Sequence, residues 1–247
     1  MSEGRRLQGL IVDWGGVLTT SLDESMAAWA VSDGVNFGHF QQVMREWLGS
    51  SAAEVAVLNP VHALERGEIE VPDFERKLAA RLSAIGSTVD PEGLLERMFE
   101  RFERAPDMAG LVRRAHQAGI RTALLSNSWG NTYPRDGWDE MFDAVVISGE
   151  VGMRKPEPDI YLHTTRLLGL APDRCVFVDD FGHNVAAAVE LGMVGVRHRS
   201  YAETAGELAA LFDLPLDQPD QPDQPARPAR PARHPASSRR TPGTADA

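Results

Sequence analysis

A single cysteine, Cys175, occurs in the 247 residues. One thiol excludes an intrachain disulfide framework and fits a reducing compartment. It opens the apolar run Cys175-Val176-Phe177-Val178, which marks it as a buried structural thiol rather than a nucleophile. Long hydrophobic runs are also missing: none approaches the ~18 residues of a membrane span. The stretch after Arg5 and Arg6 is interrupted by Asp13 and is followed by no small-residue cleavage pattern, so no secretory signal is expected. Basic residues are scarce relative to acidic ones, 25 Lys and Arg against 36 Asp and Glu. Such a balance excludes a protein that works by neutralising a phosphate backbone. The expectation is a soluble, cytoplasmic protein with neither a nucleic acid nor a membrane as partner, and its oligomeric state is not encoded in any motif.

The segment from Asp217 onward, DQPDQPDQPARPARPARHPASSRRTPGTADA, consists largely of two tandem tripeptides. Its few apolar side chains cannot offset the cost of ordering the chain, so residues 217–247 read as a disordered Pro-rich tail. The tail holds five of the basic and four of the acidic residues, leaving a net charge of about −12 on residues 1–216.

With 43% hydrophobic residues, the rest of the chain can bury a sizeable core. Leu10-Ile11-Val12 reads as a first strand and Thr122-Ala123-Leu124-Leu125 as the next. The hundred or so residues between them carry helical periodicity at Phe40–Leu48, Phe74–Leu82 and Leu94–Phe102. That is too long for a crossover and predicts an all-helical cap over 20–105. A helix from Asp107 to Ala118, ended by Gly119, returns the chain to the sheet. Downstream, strands at Ala144–Ile147, Val176–Val178 and Val194–Val196 alternate with a helix beginning near Pro156 and another through Val185–Leu191. Alternation of this kind predicts a doubly wound parallel α/β core built from 1–19 and 106–216.

Four segments in this frame carry chemistry: Asp13 in GLIVDWGGVLTT, Ser126 in TALLSNSWG, Lys155 in VGMRKPEPDIY, and Asp179-Asp180 in CVFVDDFGHN. Each follows or borders an apolar run that reads as a buried strand, so the four would gather at the carboxyl ends of a parallel sheet, where open α/β folds place their ligands. Taken singly, a strand-end Asp is commonly a helix cap, a Lys a solvated side chain and a Ser-Asn pair a turn. Together and in this order they resemble the haloacid dehalogenase superfamily of hydrolases, in the group with a helical cap. The likeness covers about residues 8–200, and SNSW, RDG, VGMRKPEPDIY and FVDDFGHNVAAAVELGMV are most similar to the phosphatase domains of mammalian soluble epoxide hydrolases.

The resemblance implies a phosphatase acting on a small phosphorylated molecule, with Asp13 as a nucleophile that forms an aspartyl-phosphate. It implies Mg²⁺ held by the Asp13 side chain, the Gly15 backbone carbonyl and Asp180, oxygen donors that suit this ion. Asp179 would act through water or on the lysine. Lys155 would place its charge against Asp13 and the phosphate, Ser126 and the Asn127 backbone amide would hydrogen-bond phosphoryl oxygens, and Asn184 would order the loop.

One carboxylate of the family pattern is absent. The position two residues after the nucleophile, where the family's phosphatases carry the acid that protonates the leaving alkoxide, is Gly15. The consequence is a preference for substrates with good leaving groups, a borrowed proton donor, or lost turnover. Donor candidates are His183 in the motif loop and Glu54, Glu65 and Glu68 in the cap. Trp14 and Trp129 flank the two phosphate-binding turns as either packing or pocket residues. Alternatives to the phosphatase are a catalytically weak or inactive relative with a binding role, and a hydrolase of carbon–halogen bonds. The family's dehalogenases need no metal, so the Asp179-Asp180 pair argues against the last.

Overall fold

The computed structural model describes residues 7–48, 59–130 and 132–216. The Pro-rich tail and Glu54 lie outside the described residues. Five parallel strands form one sheet: β1 (Gly9–Val12), β2 (Arg121–Ser126), β3 (Ala144–Ile147), β4 (Cys175–Asp179) and β5 (Val194–Arg197), in the order β3-β2-β1-β4-β5. The register aligns Val12 with Leu124 on one side and with Val178 on the other. Alternate residues of β1 face opposite layers, as the period of two requires. Leu10 and Val12 enter one apolar cluster with Leu111, Val112, Leu208 and Phe212. These come from α6 (Pro106–Gln117) and α10 (Tyr201–Phe212). Ile11 enters the other with Ile160, Tyr161 and Ala188, from α8 (Pro158–Leu168) and α9 (Gly182–Glu190). Both faces of the sheet are therefore covered, and the doubly wound α/β expectation holds.

Between β1 and α6 the described residues form five helices: α1 (Leu22–Ser32), α2 (Phe37–Leu48), α3 (Pro60–Glu65), α4 (Val71–Ala84) and α5 (Leu94–Phe99). They surround a third cluster centred on Trp29, Phe40, Phe74, Leu78 and Leu82. The chain leaves the sheet layer and returns to it side by side, with Thr20 N donating to Glu103 O at 2.8 Å and Ala105 N donating to Leu18 O at 2.9 Å.

Two local expectations are corrected. By sequence, Pro156 and Pro158 both suit the first turn of a helix starting near Pro156; the helix begins at Pro158, and Pro156 precedes it after a cis Lys155–Pro156 bond. Helical character expected through Phe102 ends at Phe99. No described helix is long and apolar enough to cross a membrane.

Candidate active site

The strand order reverses direction between β1 and β4, and in open α/β sheets such a switch opens a crevice beyond the carboxyl ends of the strands. All four chemical segments end there. Asp13 directly follows β1, and its backbone N–H donates to Val178 O at 2.9 Å, continuing the ladder by one residue. Ser126 closes β2 and Asp179 closes β4. Lys155 arrives from the turn between α7 (Ser148–Val151) and α8. Its ammonium, 1% exposed, lies 2.8 Å from Asp13 Oδ1 and 2.7 Å from Asp179 Oδ2.

A buried ion needs several partners to offset lost hydration, and the neighbouring side chains supply them. Asn127 holds the lysine backbone from both sides, its Nδ2 donating to Lys155 O at 3.0 Å and its Oδ1 accepting from Lys155 N at 2.9 Å. Asn184 Nδ2 donates to both oxygens of Asp179 at 3.1 Å, and Phe181 N donates to Asp179 Oδ1 at 2.8 Å. Asn184 therefore fixes the carboxylate that fixes the lysine. Ser126 Oγ pairs with Tyr133 Oη at 2.9 Å.

Asp13, Asp179 and Asp180 each bring a carboxylate oxygen into one group, all within 4.8 Å of one another. Burial, with repulsion from Asp179 and Asp180, pushes the Asp13 carboxyl up to about 8 against the pull of Lys155. Burial and then Asp179 push Asp180 up to about 6. Burial alone would lower the Lys155 ammonium, but Asp13 and Asp179 outweigh it and hold the group above its usual value. Asp180 Oδ1 is buried without a hydrogen-bond partner. Three crowded carboxylates and an unpaired acceptor, all oxygen donors, fit a small divalent cation such as Mg²⁺.

The two glycines after Asp13 differ. Gly16 has φ +73°, and a Cβ there would meet Asp180 Oδ2 at 2.5 Å, so the turn and the close approach both require glycine. Gly15 has no such φ, and a Cβ there would meet only Leu22 Cδ2 at 3.3 Å. The missing acid is thus not a demand of the backbone.

These groups open into a cavity of about 630 Å³ between the sheet edge and helices α1, α2, α3 and α5. His183 lines it, packed on Phe181 with ring centroids 5.4 Å apart. Glu65 lines it too, but its carboxylate is engaged by Arg154 and by Trp129 Nε1 at 3.2 Å. Glu68 is exposed beside Arg66 and does not line the cavity. Trp14 and Trp129 are both pocket and packing residues: Trp14 stacks on Phe102 at 6.1 Å, and Trp129 packs on Phe74 at 5.6 Å. Sequence reasoning missed Tyr133 and Arg154. Arg154 stands next to Lys155 in the motif, but a loop hydroxyl seven residues beyond Ser126 leaves no periodic signal.

A haloacid dehalogenase-like hydrolase family model matches residues 7–192. The rat protein named bifunctional epoxide hydrolase 2 is 29% identical over 165 residues, covering 60% of this chain and 30% of that protein. The sesquiterpene phosphatase astK of Aspergillus oryzae is 29% identical over 159 residues, covering 60% of this chain and 76% of that protein. The chain thus matches less than a third of the rat protein's length. Among solved structures, an enzyme from Bacteroides thetaiotaomicron described as bt-2542, in complex with magnesium and inorganic phosphate, superposes with a TM-score of 0.57 at 20% identity. That match covers 78% of this chain and 94% of that one, and shows the likeness of fold.

Proposed function

Since the chain belongs to the haloacid dehalogenase-like hydrolases, we propose that it is a Mg²⁺-dependent phosphatase that passes the phosphoryl group through Asp13. The observation that carries this reading is the buried Lys155 ammonium held between Asp13 and Asp179, beside the three-carboxylate group with its unpaired Asp180 oxygen. In this reading 1–19 and 106–216 form the catalytic core, and 20–105 form the cap that selects the substrate.

Asp13 Oδ attacks phosphorus, the P–O bond to the alcohol breaks, and the leaving oxygen takes a proton from solvent, which the water of the second step returns. Water then attacks the aspartyl-phosphate, releasing inorganic phosphate and restoring the carboxylate. Lys155 orients Asp13 and neutralises charge gathering on the phosphoryl oxygens, while Ser126 and the Asn127 amide donate to them. Mg²⁺, held by Asp13, the Gly15 carbonyl and Asp180, would supply charge compensation for the phosphoryl group. Asp179 and Asn184 act as positioning residues through Lys155. The phosphatase name of the fungal relative supports the reaction class.

Gly15 supplies no proton to the leaving group, which favours aryl and acyl phosphates over alkyl phosphates on intrinsic reactivity. The test is hydrolysis of p-nitrophenyl phosphate and acetyl phosphate with Mg²⁺ and with EDTA, on wild type and Asp13→Asn in parallel. Turnover that needs both Mg²⁺ and Asp13 is expected. Undiminished turnover by Asp13→Asn overturns the nucleophile assignment, and no turnover by wild type favours the binding role that Gly15 also suggests.

A further inference from the structure

The groups that would meet a phosphate lie at the strand ends, and the walls built by α1, α2 and α5 with the following loop have a largely apolar lining. Met26, Phe37, Phe40, Met44, Phe99 and Phe102 line those walls. All but Phe40 are only half-buried, although they pack against the apolar cluster that holds the fully buried Trp29 and Phe74. They are thus both packing residues and lining of the cavity. On these walls, the polar lining residues Asp23, Gln41 and Arg45 are half-buried or exposed, so among the described residues no deeply buried donor or acceptor waits there for a hydroxyl. A sugar would lose water from its hydroxyls against these walls without replacing the hydrogen bonds. The volume of about 630 Å³ suits a ligand well beyond a bare phosphate.

Building on the phosphatase reading, we propose that the substrate is the phosphate monoester of a largely apolar alcohol, with the phosphate at Asp13, Ser126 and Lys155 and the apolar chain along Met26, Phe37, Met44 and Phe99. Burial of the chain provides the binding energy, which places selectivity in the helical layer rather than at the strand ends. Relative kcat/KM among alkyl phosphates then follows chain length, because their leaving groups are alike.

The full chain with Mg²⁺ is titrated calorimetrically with n-alkylphosphonates from ethyl to decyl and with inorganic phosphate as the zero-length reference, while p-nitrophenyl phosphate hydrolysis is assayed in parallel. Affinity is expected to rise two- to fourfold per methylene, the upper figure corresponding to full burial, and to level off once the chain outgrows the cavity. Met44→Asp reduces that increment relative to inorganic phosphate, and Met44→Ser does so more mildly should the carboxylate disturb α2. A flat series alongside p-nitrophenyl phosphate hydrolysis overturns the substrate class and leaves the phosphatase standing. A steep series without hydrolysis of any phosphate supports the apolar-chain site and overturns the phosphatase. Equal affinity for alkylcarboxylates of matched length overturns the phosphate end of the proposal.

Discussion

Arg154, the residue before Lys155, donates to Glu65 at the end of α3, and both side chains of this ion pair are 9% exposed. The pair joins the helical layer to the turn that delivers the site lysine, and Trp129 Nε1 donates to the same carboxylate. Paired buried charges contribute little net stability, but removing one partner strands the other in a poorly hydrated place.

Glu65→Gln is therefore expected to cost about 3–5 kcal/mol in chemical denaturation, the range for breaking a buried pair. Replacing both residues together, Glu65→Leu with Arg154→Met, is expected to recover most of that loss. A double variant as unstable as the single one would mean that the pair acts through packing rather than charge.

Gly15→Asp tests the missing acid. The backbone there tolerates a side chain, and the one close neighbour is a leucine methyl that can yield by a few tenths of an ångström. The added carboxyl is expected to raise kcat for alkyl phosphates more than for p-nitrophenyl phosphate, by up to about 10²-fold, the low end of general acid catalysis. An unchanged ratio of the two substrates would show that another group already supplies the proton.

Much of the sheet and site was legible in the sequence because strand-end chemistry leaves a local record. Leu10-Ile11-Val12 is an uninterrupted apolar run buried on both faces, and the residue after it must meet whatever lies beyond the strand. Lys155 and Asp179 were readable from short motifs for the same reason. The function of Asn127's side chain was not, since clamping a backbone 28 residues away depends on how the turn before α8 closes. Helices α1 and α3 escaped notice as well. The first mixes exposed and buried positions without a clean stripe, and the second is six residues long, too short for periodicity. The Glu65–Arg154 pair spans 89 positions, and only tertiary structure selects Glu65 from among the candidate cap acids.

Gly16→Ala should damage the site without replacing any of its functional side chains. The positive φ costs about 1 kcal/mol or more for a residue with a Cβ, and that Cβ would displace Asp180 from where it now lies. The expected outcome is a weaker stabilisation by Mg²⁺ in thermal melts than wild type shows, together with a modestly lower melting temperature without metal. Full Mg²⁺ stabilisation in this variant would remove Asp180 from the metal-holding set.

His62 supplies a pH dependence away from the carboxylate group. Burial, reinforced by the nearby Arg154 and Arg66 cations and opposed by Glu157, lowers its imidazole to about 4. An unfolded-state imidazole takes up its proton near pH 6.5. Between those values the unfolded chain binds a proton that the folded chain refuses, so this contribution to stability is complete above about pH 6.5 and is lost as pH falls toward 4. Half-exposure of the ring allows solvent to screen part of the effect. In an NMR titration the His62 ring protons should keep their neutral shifts at pH 5.5, where a free imidazole is mostly charged. His62→Gln should flatten the fall in denaturation midpoint between pH 7 and pH 5. A His62 titration near 6.5 would mean that neither burial nor the two arginines governs the ring.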